Sequence, residues 1–125
     1  GLARLEVAAT SVTSAYLVGT PMYMSPEQAQ SPRVKIDART DIYSLGSTLY
    51  YMIGGHAPFD GEDVYELIQK VIKAEPVPLS RINPNLPSAL DDVVSKAMRK
   101  DREVRYQTAT TLAEDLHEVA RSLGG

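Results

Sequence analysis

The chain has 125 residues, 43% of them hydrophobic, and a net charge of −3, which suits one domain with a core of its own. The acidic balance gives no basic footprint for nucleic acid or an anionic membrane surface. The absence of cysteine excludes disulfides and thiolate chemistry and is compatible with a reducing cytoplasm. No apolar run reaches the ~20 residues that cross a bilayer and no signal-peptide pattern opens the chain, so no membrane segment is expected.

From Leu5 to Val18 no hydrophobic period is sustained, and Thr10, Ser11, Thr13 and Ser14 crowd into what reads as a mobile loop. Gly19 and Pro21 then bracket Thr20 and fix the backbone on either side of one hydroxyl. Ser25-Pro26-Glu27-Gln28 is a helix-opening signal: a serine cap, proline at the first helical position, an early acid, and glutamine at the capping-box position. Locally the helix start needs no function, and Gly19-Thr20-Pro21 favours a tight loop over part of a site.

Thr40 and Asp41 cap a predicted helix over 40–54, whose Ile42, Leu45, Leu49, Met52 and Ile53 fall at helical spacing while Tyr43, Tyr50 and Tyr51 fill other faces. A helix apolar nearly all round is expected to be buried. Gly46 inside it costs about 1 kcal/mol against alanine and points to close approach of another backbone. Gly54 and Gly55 end it. An amphipathic helix over 62–74 follows, with Val64, Leu67, Ile68, Val71 and Ile72 on one stripe, closed by Pro76 and Pro78. Pro87 opens a helix over 87–100 with Asp91 and Asp92 early and Lys96, Arg99 and Lys100 late, as the helix dipole prefers. Leu112, Leu116, Val119, Ala120 and Leu123 define the last helix, over 108–123. With no convincing strand pattern, the expected fold class is mainly α. His56, in a turn, and His117, on the last helix, suggest no catalysis.

Four features stand in one order: "GTPMYMSPEQA", "DARTDIYSLGSTLYYMIGGHAPF", an isolated amphipathic helix, and "KAMRKDREVRYQTATTLAEDL". Together they resemble the C-terminal lobe of a eukaryotic-type serine/threonine protein kinase, closest to the bacterial branch, over essentially the whole chain. The resemblance implies a helical C-lobe portion of the kinase fold without its β-rich N-lobe and catalytic loop. Residues 1–27 would be the activation segment, ending in Ser25-Pro26-Glu27 where the family has Ala-Pro-Glu, with Gly1 as the last residue of the Asp-Phe-Gly motif. Glu27 would form a buried ion pair with Arg105. Without the resemblance, Glu27 reads as decoration of a helix start and Arg105 as solvated.

By the same resemblance Thr20 would contact the catalytic aspartate, and Pro21, Met22, Tyr23 and Met24 would form the platform for a substrate backbone. Asp41 would accept hydrogen bonds from the catalytic loop, although alone it reads as an ordinary acid early in a helix. Thr10, Ser11, Thr13 and Ser14 occupy the part of the segment that is phosphorylated in many members, where phosphate adds charge that an arginine can order. The helix over 62–74 would dock substrates or regulators.

The sequence contains no glycine-rich phosphate loop, no strand lysine with its helix glutamate, no His-Arg-Asp loop and no Asp-Phe-Gly aspartate, the groups that position metal and γ-phosphate. No catalytic residue, metal site or cofactor is therefore expected in this chain, whereas the complete parent kinase would use ATP and magnesium. The expected partners are a protein substrate or the missing kinase portion, with self-association through an exposed apolar surface. The implied location is the cytoplasm, with a membrane anchor on the parent left open. Three functions stand open: a fragment of a serine/threonine kinase, a non-catalytic kinase-like interaction module, and one half of a split kinase.

Overall fold

The computed structural model describes residues 22–124. They form α1 (Pro26–Gln30), α2 (Arg39–Gly54), α3 (Val64–Lys73), α4 (Leu79–Ile82), α5 (Ser88–Ala97) and α6 (Ala109–Gly124). No β-strand occurs among the described residues, and the fold class is that of an all-helical lobe.

The main core is built on α2. Ile42 packs with Val93 and Ala97 of α5, Leu112 and Val119 of α6, and Tyr106 from the connection between them. One helical position further round, Tyr43 and Tyr50 pack with Leu79, Val94 and Met98. A Cβ on Gly46 would lie 2.8 Å from Ala97 Cβ, so glycine at this position is what lets α2 and α5 close to contact. Gly55, at φ 83°, takes the left-handed conformation that ends α2.

A second, smaller cluster lies apart from this core. Phe59 from the turn after α2 packs with Leu67 and Val71 of α3, backed by Met22, Ala29 of α1 and Ala74. Asp63 caps α3 by accepting from Glu66 N at 2.8 Å, and Lys70 and Lys73 sit in its last turn, where the dipole favours cations.

Two local expectations need correction. Thr40 does not cap α2: the helix begins at Arg39 after Ala38, which makes no side-chain cap bond, and the Asp37 carboxylate instead accepts from Arg39 N at 2.9 Å. Thr40 is withdrawn into the interior because its hydroxyl has a buried partner, described below. Second, α2 is buried on one side only. Met52 is 72% exposed and Tyr51 45%, with the Tyr23 ring edge-on to Tyr51 as partial cover; an all-round apolar sequence does not reveal which face lacks a neighbour. Pro76 and Pro78 follow the end of α3 at Lys73, and Pro78 also precedes the short α4.

Candidate functional site

Residues 78 positions apart in the sequence meet at α1. Ser25 closes a complete capping box: its hydroxyl accepts from Gln28 N at 3.1 Å and its own N–H donates to Gln28 Oε1 at 3.0 Å. Pro26 adds a preset φ at the first helical position. This short, doubly stapled turn directs Glu27 inward, where 4% of the residue remains exposed.

Opposite it stands Arg105, the bulkiest of the fully buried side chains. Arg105 Nη2 donates to Glu27 Oε1 at 2.6 Å and Nη1 to Oε2 at 2.9 Å, a bidentate pair. The remaining N–H groups are occupied too: Nε donates to Arg99 O at 2.8 Å, Nη1 also to Arg39 O at 2.7 Å, and Nη2 also to Lys100 O at 3.3 Å. All five guanidinium donors therefore have acceptors, and one residue ties α1, the start of α2 and the loop after α5. The guanidinium also lies 5.1 Å from the centre of the Tyr43 ring, within cation–π range.

Two charges out of water are costly unless paired and fully hydrogen-bonded, and this pair is both. The Thr40 hydroxyl donates to Glu27 Oε2 at 2.7 Å and accepts from Ser25 Oγ at 3.4 Å. Burial pushes the Glu27 carboxyl up, but the hydrogen bonds from Arg105 and Thr40 and the charge of Arg105 together hold it below the ordinary glutamate value. Tyr43, whose buried hydroxyl has no hydrogen-bond partner among the described residues, is pushed the other way: burial raises its phenol, with the Arg105 charge opposing.

Beside this anchor the chain runs out toward Met22. Met24 is buried, while Tyr23 and Met22 are half-buried. Ser44 Oγ donates to Tyr23 O at 2.9 Å, and the Tyr23 ring meets Tyr51 of α2 edge-on at 6.3 Å. Met22 leans on the α3 cluster, so the short turn at Met22 and Tyr23 bridges the two packed regions. Thr20, Pro21, Thr10, Ser11, Thr13 and Ser14 lie outside the described residues.

Asp41 is exposed in the first turn of α2, and among the described residues its carboxylate receives no hydrogen bond. It stands on the same open helix as Tyr51 and Met52, so the structure does not bring it to the Glu27–Arg105 pair. On α3, Tyr65 and Val64 are exposed. Lys100 fixes this helix from behind, with Nζ donating to Val71 O at 2.6 Å and standing 4.7 Å from the centre of the Phe59 ring. Burial lowers the Lys100 pKa, and the Glu75 charge opposes that. Sequence reasoning missed Thr40, the second bond of Ser25, and Lys100 as site-building residues; a buried threonine early in a helix carries no local signal that separates it from a cap.

Among the described residues no three histidine or acidic side chains gather as metal ligands. No helix among them is long and apolar enough to cross a membrane.

Residues 1–117 match the sequence pattern of the protein kinase domain. The chain is 42% identical over 120 residues to the serine/threonine-protein kinase PknB of Mycobacterium leprae, an alignment covering 95% of this chain and 19% of that protein. It is 38% identical over 121 residues to a probable serine/threonine-protein kinase of Clostridium perfringens, covering 97% of this chain and 17% of the relative. The PknB of Mycobacterium tuberculosis is 41% identical over 121 residues, with 95% and 19% covered. The chain belongs to the protein kinase family, and its similarity is to bacterial serine/threonine kinases. It spans less than a fifth of the length of these relatives.

Proposed function

We propose that this chain supplies the substrate-facing part of the helical lobe of a serine/threonine protein kinase, which transfers the ATP γ-phosphate to a protein serine or threonine with magnesium. The activation segment would occupy 1–27, with Thr10, Ser11, Thr13 and Ser14 as acceptors of regulatory phosphate. Thr20 would select the hydroxyl substrate, and Pro21, Met22, Tyr23 and Met24 would support the peptide backbone. Glu27 and Arg105 anchor the end of that segment, Asp41 braces the catalytic loop from the open face of α2, and α3 docks protein substrates through Val64 and Tyr65.

The observation that carries this reading is the bidentate Glu27–Arg105 pair, buried where Ser25-Pro26-Glu27 meets α2. A segment that must hold a fixed course beside a reacting substrate needs a rigid end, and an arginine with every donor occupied provides one. The nucleotide-binding groups are not among the 125 residues, so the chain alone is expected to transfer no phosphate. The test is transfer of labelled phosphate from ATP and magnesium to a protein substrate, by the complete kinase and by this chain. Transfer by the complete kinase that falls steeply in Thr20→Ala supports the reading; transfer by the isolated chain, or an unaffected Thr20→Ala kinase, overturns it.

A further inference from the structure

The hydrogens around Glu27 can be assigned without ambiguity. An ionised carboxylate only accepts and a guanidinium only donates, so the Thr40 hydroxyl, 2.7 Å from Glu27 Oε2, must spend its single hydrogen there. Its lone pairs then face Ser25 Oγ at 3.4 Å, so that contact runs from Ser25 to Thr40. Ser25 in turn keeps a lone pair for the N–H of Gln28 at 3.1 Å. The result is a directed chain from the α1 backbone through Ser25 and Thr40 to Glu27, where Arg105 closes it from the other side at 2.9 Å. Ser25 is fully buried and Thr40 2% exposed, so water does not substitute for either hydroxyl.

We propose that Thr40 is a positioning residue: its hydroxyl fills the remaining lone pair of Glu27 Oε2, fixes the carboxylate in the bidentate pose, and thereby sets how α1 seats on the first turn of α2. The 2.7 Å bond from Thr40 is the strong link and the 3.4 Å bond from Ser25 the weak one, so Thr40 governs the pose and Ser25 modulates it. The functional consequence, a fixed course for the activation segment, rests on the reading given under Proposed function; the hydrogen-bond chain itself does not.

The test compares Thr40→Val, which keeps the shape and removes the hydroxyl, with Thr40→Ser, which keeps the hydroxyl, in the full 125-residue chain. Urea unfolding at neutral pH is expected to show a folding constant lowered at least tenfold in Thr40→Val, the size of a lost bond to a charged group, and largely restored in Thr40→Ser. The deficit should narrow as pH falls through the folded Glu27 value, which lies below the ordinary 4.5, because a protonated Glu27 no longer needs the donor. Carbon-detected NMR titration of Glu27 should move upward in Thr40→Val and by less in Ser25→Ala. Where Thr40→Val does not fold, the Ser25→Ala titration and the Thr40→Ser stability decide the matter. An unmoved Glu27 titration, a Val variant as stable as the parent at every pH, or a Ser variant as weak as Val overturns the proposal. In the complete kinase, Thr40→Val should lower kcat and leave the KM for ATP unchanged. An unchanged kcat, with the stability and titration results as expected, overturns the assignment of the anchored turn to the activation segment and leaves the hydrogen-bond chain standing.

Discussion

The two packed regions of this lobe are held by different physics. The α2–α5–α6 core is an apolar contact closed to the limit at Gly46 and Ala97. The cluster around α3 has three buried apolar residues, Phe59, Leu67 and Val71, and α1, the turn before it and α3 are tied to the rest through directed polar bonds: Glu27 to Arg105, Tyr23 O to Ser44, and Val71 O to Lys100. Apolar packing tolerates small shifts at modest cost, whereas a bidentate pair or a single hydroxyl bond loses most of its value when misaligned. The α1–α3 side is thus the side whose geometry is set by few, precise bonds.

The largest expected effect breaks the polar side. Arg105→Ala leaves Glu27 buried and unpaired, and replacements of this kind cost about 3–5 kcal/mol; urea unfolding against the parent measures it. A parent and mutant with equal midpoints would contradict the account. The double replacement Glu27→Leu with Arg105→Met sharpens the test. Removing both charges should recover part of the loss but not all of it, since the carbonyls of Arg39, Arg99 and Lys100 also lose their donor. Because the folded Glu27 carboxyl is held below the ordinary value of 4.5, its contribution is fully present above that pH. It is lost as pH falls through the lower folded value, and Glu27→Gln should remove that acid-side slope.

Next in size is a substitution in the apolar core. Alanine for glycine inside a helix ordinarily gains about 1 kcal/mol, yet at position 46 the new Cβ meets Ala97 Cβ at 2.8 Å and Met98 Cγ at 3.0 Å. Overpacking of this kind costs about 1–3 kcal/mol, so a net loss of up to about 2 kcal/mol is expected by thermal or urea unfolding. Ala97→Gly in the same chain opens the space and should return much of it. A Gly46→Ala chain more stable than its parent would show that α2 and α5 are not in hard contact.

A smaller effect is expected at Lys100. Lys100→Met keeps the aliphatic stem against Phe59, loses the bond to Val71 O, and relieves a half-buried charge. The gains and losses nearly cancel, and global stability should change by less than about 1 kcal/mol. The loss should appear locally, as faster hydrogen exchange in the last turn of α3. Unchanged exchange there would remove Lys100 from the set of bonds that hold the cluster.

How much of this was legible depended on the range of the interaction. The Ser25–Gln28 capping box is spelled within four residues, and the one-sided stripes of α3, α5 and α6 repeat often enough for the period to speak. The need for glycine at position 46 also follows from a cost that only close packing offsets. By contrast α4 is four residues long, too short for any period. The partner of Thr40 lies 13 residues upstream and that of Lys100 29 residues away, so neither is encoded in local pattern, and Thr40 in particular imitates a helix cap. Glu27 and Arg105 are 78 residues apart; composition and spacing alone left both as ordinary surface charges, and only the resemblance set them side by side. The open face of α2 was illegible for a different reason: Tyr51 and Met52 look like core residues whatever stands opposite them.

The smallest effect uses a carboxylate shifted in the same direction as Glu27 for a different reason. Asp37 is held well below the carboxylate range first by the side-chain bonds of Arg39, then by the Arg39 backbone amide, with burial slightly opposing and the charges of Arg39 and Arg102 assisting. The group is a surface network: Arg39 also reaches Glu103 at 3.1 Å, and Arg102 reaches Asp37 at 3.4 Å. Its stabilising effect is present above the ordinary aspartate value of 3.8 and lost as pH falls below it, but solvent and salt screen it throughout. Asp37→Asn should therefore lower the melting midpoint slightly at low ionic strength and not at all near 1 M salt, where the screening length is about 3 Å. The Arg105→Ala deficit should persist in the same salt, since the buried pair is screened far less. If salt erased both deficits alike, the Glu27–Arg105 pair would be behaving as a surface bridge, and the distinction between a packed region and a precisely bonded one would collapse.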